Sequence, residues 1–284
     1  MTSSKRGEPE ATPALPGGRP THWALVPCAG VGARAGTGEP KQYAMLCGRP
    51  LVAWTLQALD SVPEIDAIVV VLAHDDDRFD PGGRDASNAR NAPGKPLHVL
   101  RVGGPTRART VANGIEAMRA LGARDEDWVL VHDAARCLVQ PASISRLVAA
   151  CAEDAVGGLL ALPVPDTLKR SAAATGDVER VDATVSRVSM WAAQTPQMFR
   201  LGLLREALAH ALASGAAITD EASAVEATGL RPRLVRGDYD NLKVTWPEDL
   251  ALAQRLLRGR QEPASVPPDV SIADTSAVHR NEVP

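Results

Sequence analysis

Short apolar runs alternate with helical spacing through the middle of the chain. Residues 23–27, 67–72, 97–101, 128–132 and 158–162 are rich in Val, Leu and Ala and mostly lack the polar alternation of a strand with one wet face. Strands covered on both faces look like this, as in a parallel sheet sandwiched by helices. Between and after them, residues 51–59, 108–121, 144–152, 202–213 and 247–258 repeat their apolar positions every three or four residues, the period of a helix with one buried face. The alternation predicts an α/β fold, a doubly wound, mostly parallel sheet whose ligand lies beyond the C-terminal strand ends. Residues 163–190 break the rhythm with polar positions and scattered valines, and read as an extended arm.

Three segments have little to bury. Residues 1–21 and 260–284 are rich in Pro, Gly and Ser, and chain entropy outweighs what such compositions gain on folding, so both are expected to be disordered tails. Residues 80–96 carry two Pro-Gly pairs among Asn and Asp and predict a long surface loop. One domain, residues 22–259, remains, with no internal repeat. Its core is aliphatic, since 45% of the chain is hydrophobic but only 3% aromatic. Thirty-one Lys and Arg against 34 Asp and Glu give a net charge of −3, which argues against a general nucleic-acid or acidic-membrane binder. The longest apolar run, 67–73, is far short of the ~20 residues that cross a bilayer. No secretory leader is visible after the first basic residues, so the expected location is cytoplasmic. Four scattered cysteines offer neither a zinc site nor a disulfide framework.

The chemistry gathers after the first strand. Pro27-Cys-Ala-Gly-Val-Gly-Ala-Arg-Ala-Gly-Thr-Gly-Glu-Pro-Lys41 holds four glycines in nine residues, and glycine lets backbone N–H groups turn tightly and approach an anion. Arg34 and Lys41 add two cations to the same loop. A P-loop requires Ser or Thr after its lysine, and Gln42 stands there instead. A dinucleotide fingerprint is met by Gly30-x-Gly32-x-x-Ala35, which leaves a nicotinamide-dependent dehydrogenase as a rival. Its acidic ribose partner is expected about 20 residues on, whereas the second strand ends near Asp75.

The same loop, followed by Glu39-Pro-Lys-Gln-Tyr43, resembles the signature of nucleotidyltransferases, and more narrowly of the methylerythritol-phosphate cytidylyltransferase family of the non-mevalonate isoprenoid pathway. Six further blocks follow in the family's order: Gly103-Gly-Pro-Thr-Arg-Ala-Arg-Thr110-Val, Val129-Leu-Val-His-Asp133-Ala-Ala-Arg136, Pro163-Val-Pro-Asp-Thr167-Leu-Lys, Gln194-Thr195-Pro-Gln197, Ile218-Thr219-Asp-Glu-Ala-Ser and Asp240-Asn-Leu-Lys243-Val-Thr. They span about residues 22–258. The resemblance implies a Rossmann-like nucleotidyltransferase fold, CTP as one substrate, a polyol phosphate as the other, Mg²⁺ as cofactor, and a homodimer in which the 163–190 arm completes the partner's site.

Residue by residue, it implies that Arg34 and Lys41 stabilise the transition state and that Arg187 and Lys243 fix the phosphate nucleophile. Pro27, Ala29, Gly30, Gly32, Gly104, Thr110, Asp133, Ala134 and Arg136 join Arg34 and Lys41 in holding the nucleotide. Thr167, Thr195 and Thr219 join Arg187 and Lys243 on the acceptor. A carboxylate beside a polyphosphate is repelled unless a cation intervenes, so Asp133 is the first candidate metal partner and Asp240 the second. The plain alternative for Asp133 is the N-cap of the following helix. Four positions depart from the family pattern: Thr110 for Ser, which keeps the hydroxyl, Pro105 for Asp, Cys137 for Pro and Cys28 for Ala. Cys28 and Cys137 read as small packing residues, and His132 as a packed strand residue. Ribitol 5-phosphate cytidylyltransferases look much alike across these blocks, so the acceptor has two readings, methylerythritol phosphate and, as the alternative, ribitol 5-phosphate.

Overall fold

The computed structural model describes residues 18–30, 40–80, 94–172, 178–215 and 217–261. Most of both expected tails, residues 81–93 of the expected loop, and the candidate residues Gly32 and Arg34 lie outside the described residues.

In chain order the first half forms β1 (His22–Pro27), a 3-10 turn (Lys41–Tyr43), β2 (Met45–Leu46), β3 (Arg49–Pro50), α1 (Leu51–Asp60), β4 (Ala67–Val71), β5 (Leu97–Leu100), α2 (Arg107–Ala120), β6 (Trp128–Val131) and α3 (Pro141–Cys151). The second half forms β7 (Gly157–Pro163), β8 (Leu168–Ser171), β9 (Val181–Val185), β10 (Trp191–Arg200), α4 (Leu201–Ser214), α5 (Glu221–Glu226), β11 (Arg233–Arg236) and α6 (Pro247–Gln261). All five strands read from the apolar runs are present. The helix at 144–152 starts earlier than its apolar spacing suggests, because Pro141 opens α3 at a position where its missing N–H costs nothing.

Seven strands make one sheet in the order β11-β7-β10-β6-β1-β4-β5. β1 runs parallel to β4 and β6, β5 parallel to β4, and β11 parallel to β7. Only β10 is antiparallel, inserted between β6 and β7. Strand side chains alternate in direction, and here both directions are buried. Ala24, Val26, Ile68, Val70 and Leu130 pack with Val52, Leu56 and Leu59 of α1 and Ile144, Leu147 and Val148 of α3. Trp23, Leu25, Val69, Val71 and Val129 pack on the opposite face with Val111, Ile115 and Met118 of α2 and Leu204 and Leu208 of α4. Each such Leu, Val or Ile contributes about 1.5–3 kcal/mol relative to exposure, which is why the sheet carries no polar face.

Contacts extend slightly beyond the expected domain bounds of 22 and 259. Arg19 ion-pairs with Asp66 at 2.5 Å and the Thr21 N–H donates to Asp127 at 2.9 Å, before residue 22. At the other end α6 runs to residue 261, with Arg260 donating to the Leu138 carbonyl at 2.9 Å. The expected arm, residues 163–190, contains two short strands among its described residues. β8 and β9 pair antiparallel as a separate ribbon, outside the main sheet. No helix among the described residues is long and apolar enough to cross a membrane.

The pattern misses β10. Its sequence, Trp-Ala-Ala-Gln-Thr-Pro-Gln-Met-Phe-Arg, has the polar residues and proline of a loop. The strand tolerates them because its register shifts between Ala193 and Gln197, the irregularity where a proline fits. Gln194, Thr195 and Gln197 are buried, and each finds a partner. Gln194 donates to the Asp238 carbonyl, Gln197 donates to Asp220 and accepts from the Ala222 N–H, and Thr195 serves the site described next.

Candidate active site at the strand ends

β1, β4 and β6 deliver their C-terminal ends to one edge of the sheet. Beyond β1 the Cys28 N–H donates to Val71 O, and beyond β4 Leu72 O accepts from the Gly103 N–H, both at 2.8 Å. The loop before α2 is thereby drawn against the loop after β1. Gly103 is required there: a Cβ would stand 2.5 Å from the Ala29 Cβ and 2.7 Å from Leu72 O. The result is a cavity of about 500 Å³, bordered by Pro27, Ala29, Gly30, Lys41, Gly104, Thr110, Asp133, Ala134 and Lys243. Nine positions read as functional from four separate stretches of sequence therefore meet.

Each wall has a local cause. Gln42 is buried and donates to Cys28 O at 3.1 Å, which seats the turn that carries Lys41. The Lys41 ammonium donates to Val244 O at 3.0 Å. Opposite, α2 begins with its N-terminus at the cavity, capped by Thr106, whose hydroxyl accepts from the Arg109 N–H at 3.2 Å. Helix N-termini attract anions through unpaired N–H groups and the helix dipole. The Thr110 hydroxyl accepts from the Gly104 N–H at 3.1 Å and donates to Gly104 O at 3.3 Å, so it shapes this loop as well as bordering the cavity. Pro105 also borders the cavity.

Asp133 is the charged centre. It is buried, with Oδ1 accepting from Arg107 Nε at 2.8 Å and Oδ2 2.8 Å from the Lys243 ammonium. Burial by itself raises a carboxyl's pKa, but the two cations outweigh it and hold Asp133 well below the usual carboxylate range. Arg107 continues the chain of charges to Glu221, donating from its two terminal nitrogens at 2.7 and 3.0 Å. The Asp133 N–H donates to Thr195 Oγ1 at 3.1 Å, and that oxygen lies 3.0 Å from His132 Nδ1. His132 Nε2 lies 3.2 Å from Arg136 O. A carbonyl only accepts, so the ring proton sits on Nε2 and Nδ1 accepts from Thr195. Asp133 is not a helix N-cap: α3 starts from Gln140, seven residues on.

Burial pushes the His132 pKa down to about 4, from about 6.5 in an unfolded chain. The unfolded state then binds the extra proton between those values, so the stability His132 contributes at pH 7 is lost as pH falls. The loss is on the order of 2 kcal/mol by pH 5. In urea titrations, the stability gap between wild type and His132→Gln should narrow from pH 7 to pH 5; a constant gap would contradict the neutral buried ring.

Other predicted site residues lie elsewhere. Arg136 does not border the cavity; its guanidinium donates to Asn241 O at 2.6 Å and Ala193 O at 3.3 Å, tying the β6–α3 connection to β10. Asp240, the second candidate metal partner, is likewise off the cavity and is ion-paired with Arg260 at 3.1 Å. Thr167 and Arg187 are exposed on the arm. Thr219 is exposed beside α5, with its hydroxyl 3.4 Å from Ser223 Oγ. Thr195 lies beneath the cavity, on the Asp133 backbone. Cys28 and Cys137 are buried free thiols, and burial raises the Cys137 pKa to about 12. Arg107 and Glu221 were missed as site residues. The available signal was a pair of arginines, Arg107 and Arg109, in the first turn of a helix, where the dipole favours acids.

Comparison with known proteins points one way. The family model described as 2-C-methyl-D-erythritol 4-phosphate cytidylyltransferase (IspD) matches residues 23–259. The 2-C-methyl-D-erythritol 4-phosphate cytidylyltransferase of Chromobacterium violaceum is 51% identical over 240 residues, covering 84% of this chain and 99% of the relative. The bifunctional enzyme IspD/IspF of Albidiferax ferrireducens is 50% identical over 248 residues, 87% of this chain; the chain spans 56% of that protein's length. A crystal structure of 4-diphosphocytidyl-2C-methyl-D-erythritol synthase superposes with a TM-score of 0.69 at 38% identity, covering 84% of this chain and 99% of that one.

Proposed function

This chain belongs to the 2-C-methyl-D-erythritol 4-phosphate cytidylyltransferase family, and from that premise we infer that its strand-end cavity transfers the cytidylyl group of CTP to 2-C-methyl-D-erythritol 4-phosphate. The products are 4-diphosphocytidyl-2-C-methyl-D-erythritol and pyrophosphate, a step in isoprenoid precursor synthesis by the non-mevalonate pathway. The observation that carries the reading is the convergence of Lys41, the α2 N-terminus, Asp133 and Lys243 on one cavity of nucleotide size. The family match also removes the dehydrogenase reading of the glycine loop.

An acceptor phosphate oxygen bonds to the α-phosphorus of CTP as the bond to the bridging oxygen breaks, and pyrophosphate leaves with that electron pair. Negative charge shifts onto the phosphorane and bridging oxygens. Alignment and cations carry such a reaction, with little covalent work for side chains. Lys41 and Arg34 meet the developing charge on the nucleotide. Lys243 and Arg187 hold the acceptor phosphate in line, with Thr167, Thr195 and Thr219 on the acceptor side. The small Ala29 and Ala134, with Gly104 and Thr110, leave room for a pyrimidine.

Magnesium belongs to the same reading. The cavity offers one carboxylate, Asp133, and among the described residues no three His, Cys, Asp or Glu cluster as a metal cage. That donor set suits Mg²⁺, which is usually bound by one or two carboxylates plus substrate phosphates. Asp133 would hold it, and the ion would draw charge from the triphosphate.

The homodimer rests on the arm. A lone two-stranded ribbon is marginal in water, and this one, with the chain beside it, exposes Val181, Val188 and Met190 at 63%, 79% and 43%. A second copy that covered these side chains would also bring Arg187 towards a site it does not border in its own chain.

Pyrophosphate release, measured with each of the four nucleoside triphosphates and each polyol phosphate, tests the function. Turnover is expected only with CTP and methylerythritol phosphate, at concentrations where equilibrium sedimentation gives a dimer. Turnover with ribitol 5-phosphate alone would transfer the enzyme to that acceptor, and an active species that sediments as a monomer would remove the dimer.

A further inference from the structure

Four alternating charges run from the cavity mouth into the protein: Lys243, Asp133, Arg107 and Glu221, with each contact between 2.7 and 3.0 Å. The outer end is accessible, with the Lys243 side chain 43% exposed, whereas the Glu221 side chain is 1% exposed. Buried ion pairs add little to stability, because the desolvation of both partners offsets their attraction; apolar pairs of the same volume are often as good or better.

The elements that carry the inner pair do not need it to dock. α5 is pinned to β10 by Gln197, which accepts from the Ala222 N–H at 2.7 Å and donates to Asp220 at 2.8 Å. Its first turn is closed by a reciprocal capping box between Asp220 and Ser223. α2 is capped by Thr106 and buries Val111, Ile115 and Met118 against the sheet. With docking supplied otherwise, the orientation of the guanidinium is what the pair determines. Glu221 takes both terminal nitrogens of Arg107, which leaves Nε aimed at Asp133 Oδ1. The Asp133 backbone is set separately by Thr195.

We propose that Arg107, clamped from behind by Glu221, is a positioning residue for this reaction: it immobilises one oxygen of Asp133 so that the other stays on Lys243, the cation that meets the reacting phosphates. The proposal rests on the cytidylyltransferase reading, in which Asp133 works beside the triphosphate. It also gives Glu221 a task at a distance, since this glutamate adjoins the Thr219–Asp220 segment on the acceptor side and touches Asp133 only through Arg107.

The test is the double replacement Arg107→Met with Glu221→Leu, which exchanges the buried pair for apolar volume. Asp133 keeps Lys243 but loses Arg107, so the melting temperature should fall by several degrees; assayed well below it, kcat should fall about 10–100-fold, the usual effect of removing a partner that orients a ligand. Arg107 also borders the cavity, so the KM for CTP can rise, but a positioning role requires the fall in kcat to exceed the rise in KM. Added to Asp133→Asn, the pair should cost less than about twofold more, since residues acting through one another are not additive. A double variant with more than a third of wild-type kcat, or a loss that multiplies with that of Asp133→Asn, overturns the proposal. Should the double variant fail to fold, Glu221→Gln decides: about a tenfold fall in kcat, absent on the Asp133→Asn background, is expected, and unchanged kcat overturns it. A wild type that leaves CTP intact refutes the functional reading itself; an active wild type with an equally active variant refutes only the positioning role.

Discussion

Lys41→Ala should lower kcat for pyrophosphate release by about 10²–10³, the range seen when one preorganised donor to a developing oxyanion is removed. Lys41 sits on the 3-10 turn at the end of the glycine loop, half-buried at the cavity wall, with its ammonium anchored on Val244 O at 3.0 Å. That contact holds the charge in place before the nucleotide arrives, so no reorganisation is needed when charge develops. Because the benefit is greatest at the transition state, kcat should fall far more than the affinity for CTP. The fold should survive, since Gln42, not Lys41, seats the turn on Cys28 O. Stopped-flow release of pyrophosphate together with CTP titration separates the two effects. A variant within threefold of wild-type kcat, or one whose loss is entirely in CTP affinity, would remove Lys41 from the chemical step.

Why these residues were legible from sequence, and others were not, has a physical explanation. A strand buried on both faces must be apolar throughout, so 67–72 and 128–132 announce themselves, and with them the strand ends where Gly103 and Asp133 lie. β10 is buried too, yet it keeps Gln194, Thr195 and Gln197 because each is hydrogen-bonded to a partner distant in sequence. Hydrophobic spacing cannot register such partners. The short α5 and β11 gave no periodic signal either; α5 is held largely by its capping box and Gln197.

The site shows the same division. Motif residues on strand ends and tight turns, such as Ala29, Gly104 and Asp133, converge within one chain. Those on the arm, Thr167 and Arg187, do not border the cavity of their own chain, because they lie beside a β-ribbon that is separate from the main sheet; in the dimer proposed above they would serve the partner's cavity. Arg136 shares a block with Asp133 but points the other way, onto Asn241 and Ala193. Proximity in sequence fixed its neighbourhood, not its direction. Arg107 was the converse case, a motif residue whose importance appears only once Asp133 and Glu221, 26 and 114 positions away, are brought to its two sides.

Lys243→Ala should produce the mirror image of a folding defect: a large loss of activity at almost constant stability. The ammonium lies 2.8 Å from the buried Asp133 carboxylate but is itself 43% exposed, and solvent on the lysine side keeps the pair's contribution near about 1 kcal/mol, the upper end for surface pairs. Asp133 also keeps Arg107 on its other oxygen, so the variant leaves no unpaired buried charge. Catalysis has no such reserve. An ammonium has three donors, so Lys243 can retain Asp133 and still grip a phosphate dianion, and the acceptor then loses its point of attachment when the side chain is cut back. The kcat/KM for the acceptor should fall about 10²–10³-fold, on the scale of one charge-assisted contact to a reacting anion. KM for CTP should move little, and the melting temperature should drop by no more than about 2–4 °C. Lys243→Arg should recover part of the loss, since charge is preserved while reach and geometry change. If the defect fell instead on CTP binding, with the acceptor KM intact, Lys243 would belong to the triphosphate, and the division of the cavity into a nucleotide wall at Lys41 and an acceptor wall at Lys243 would have to be reversed.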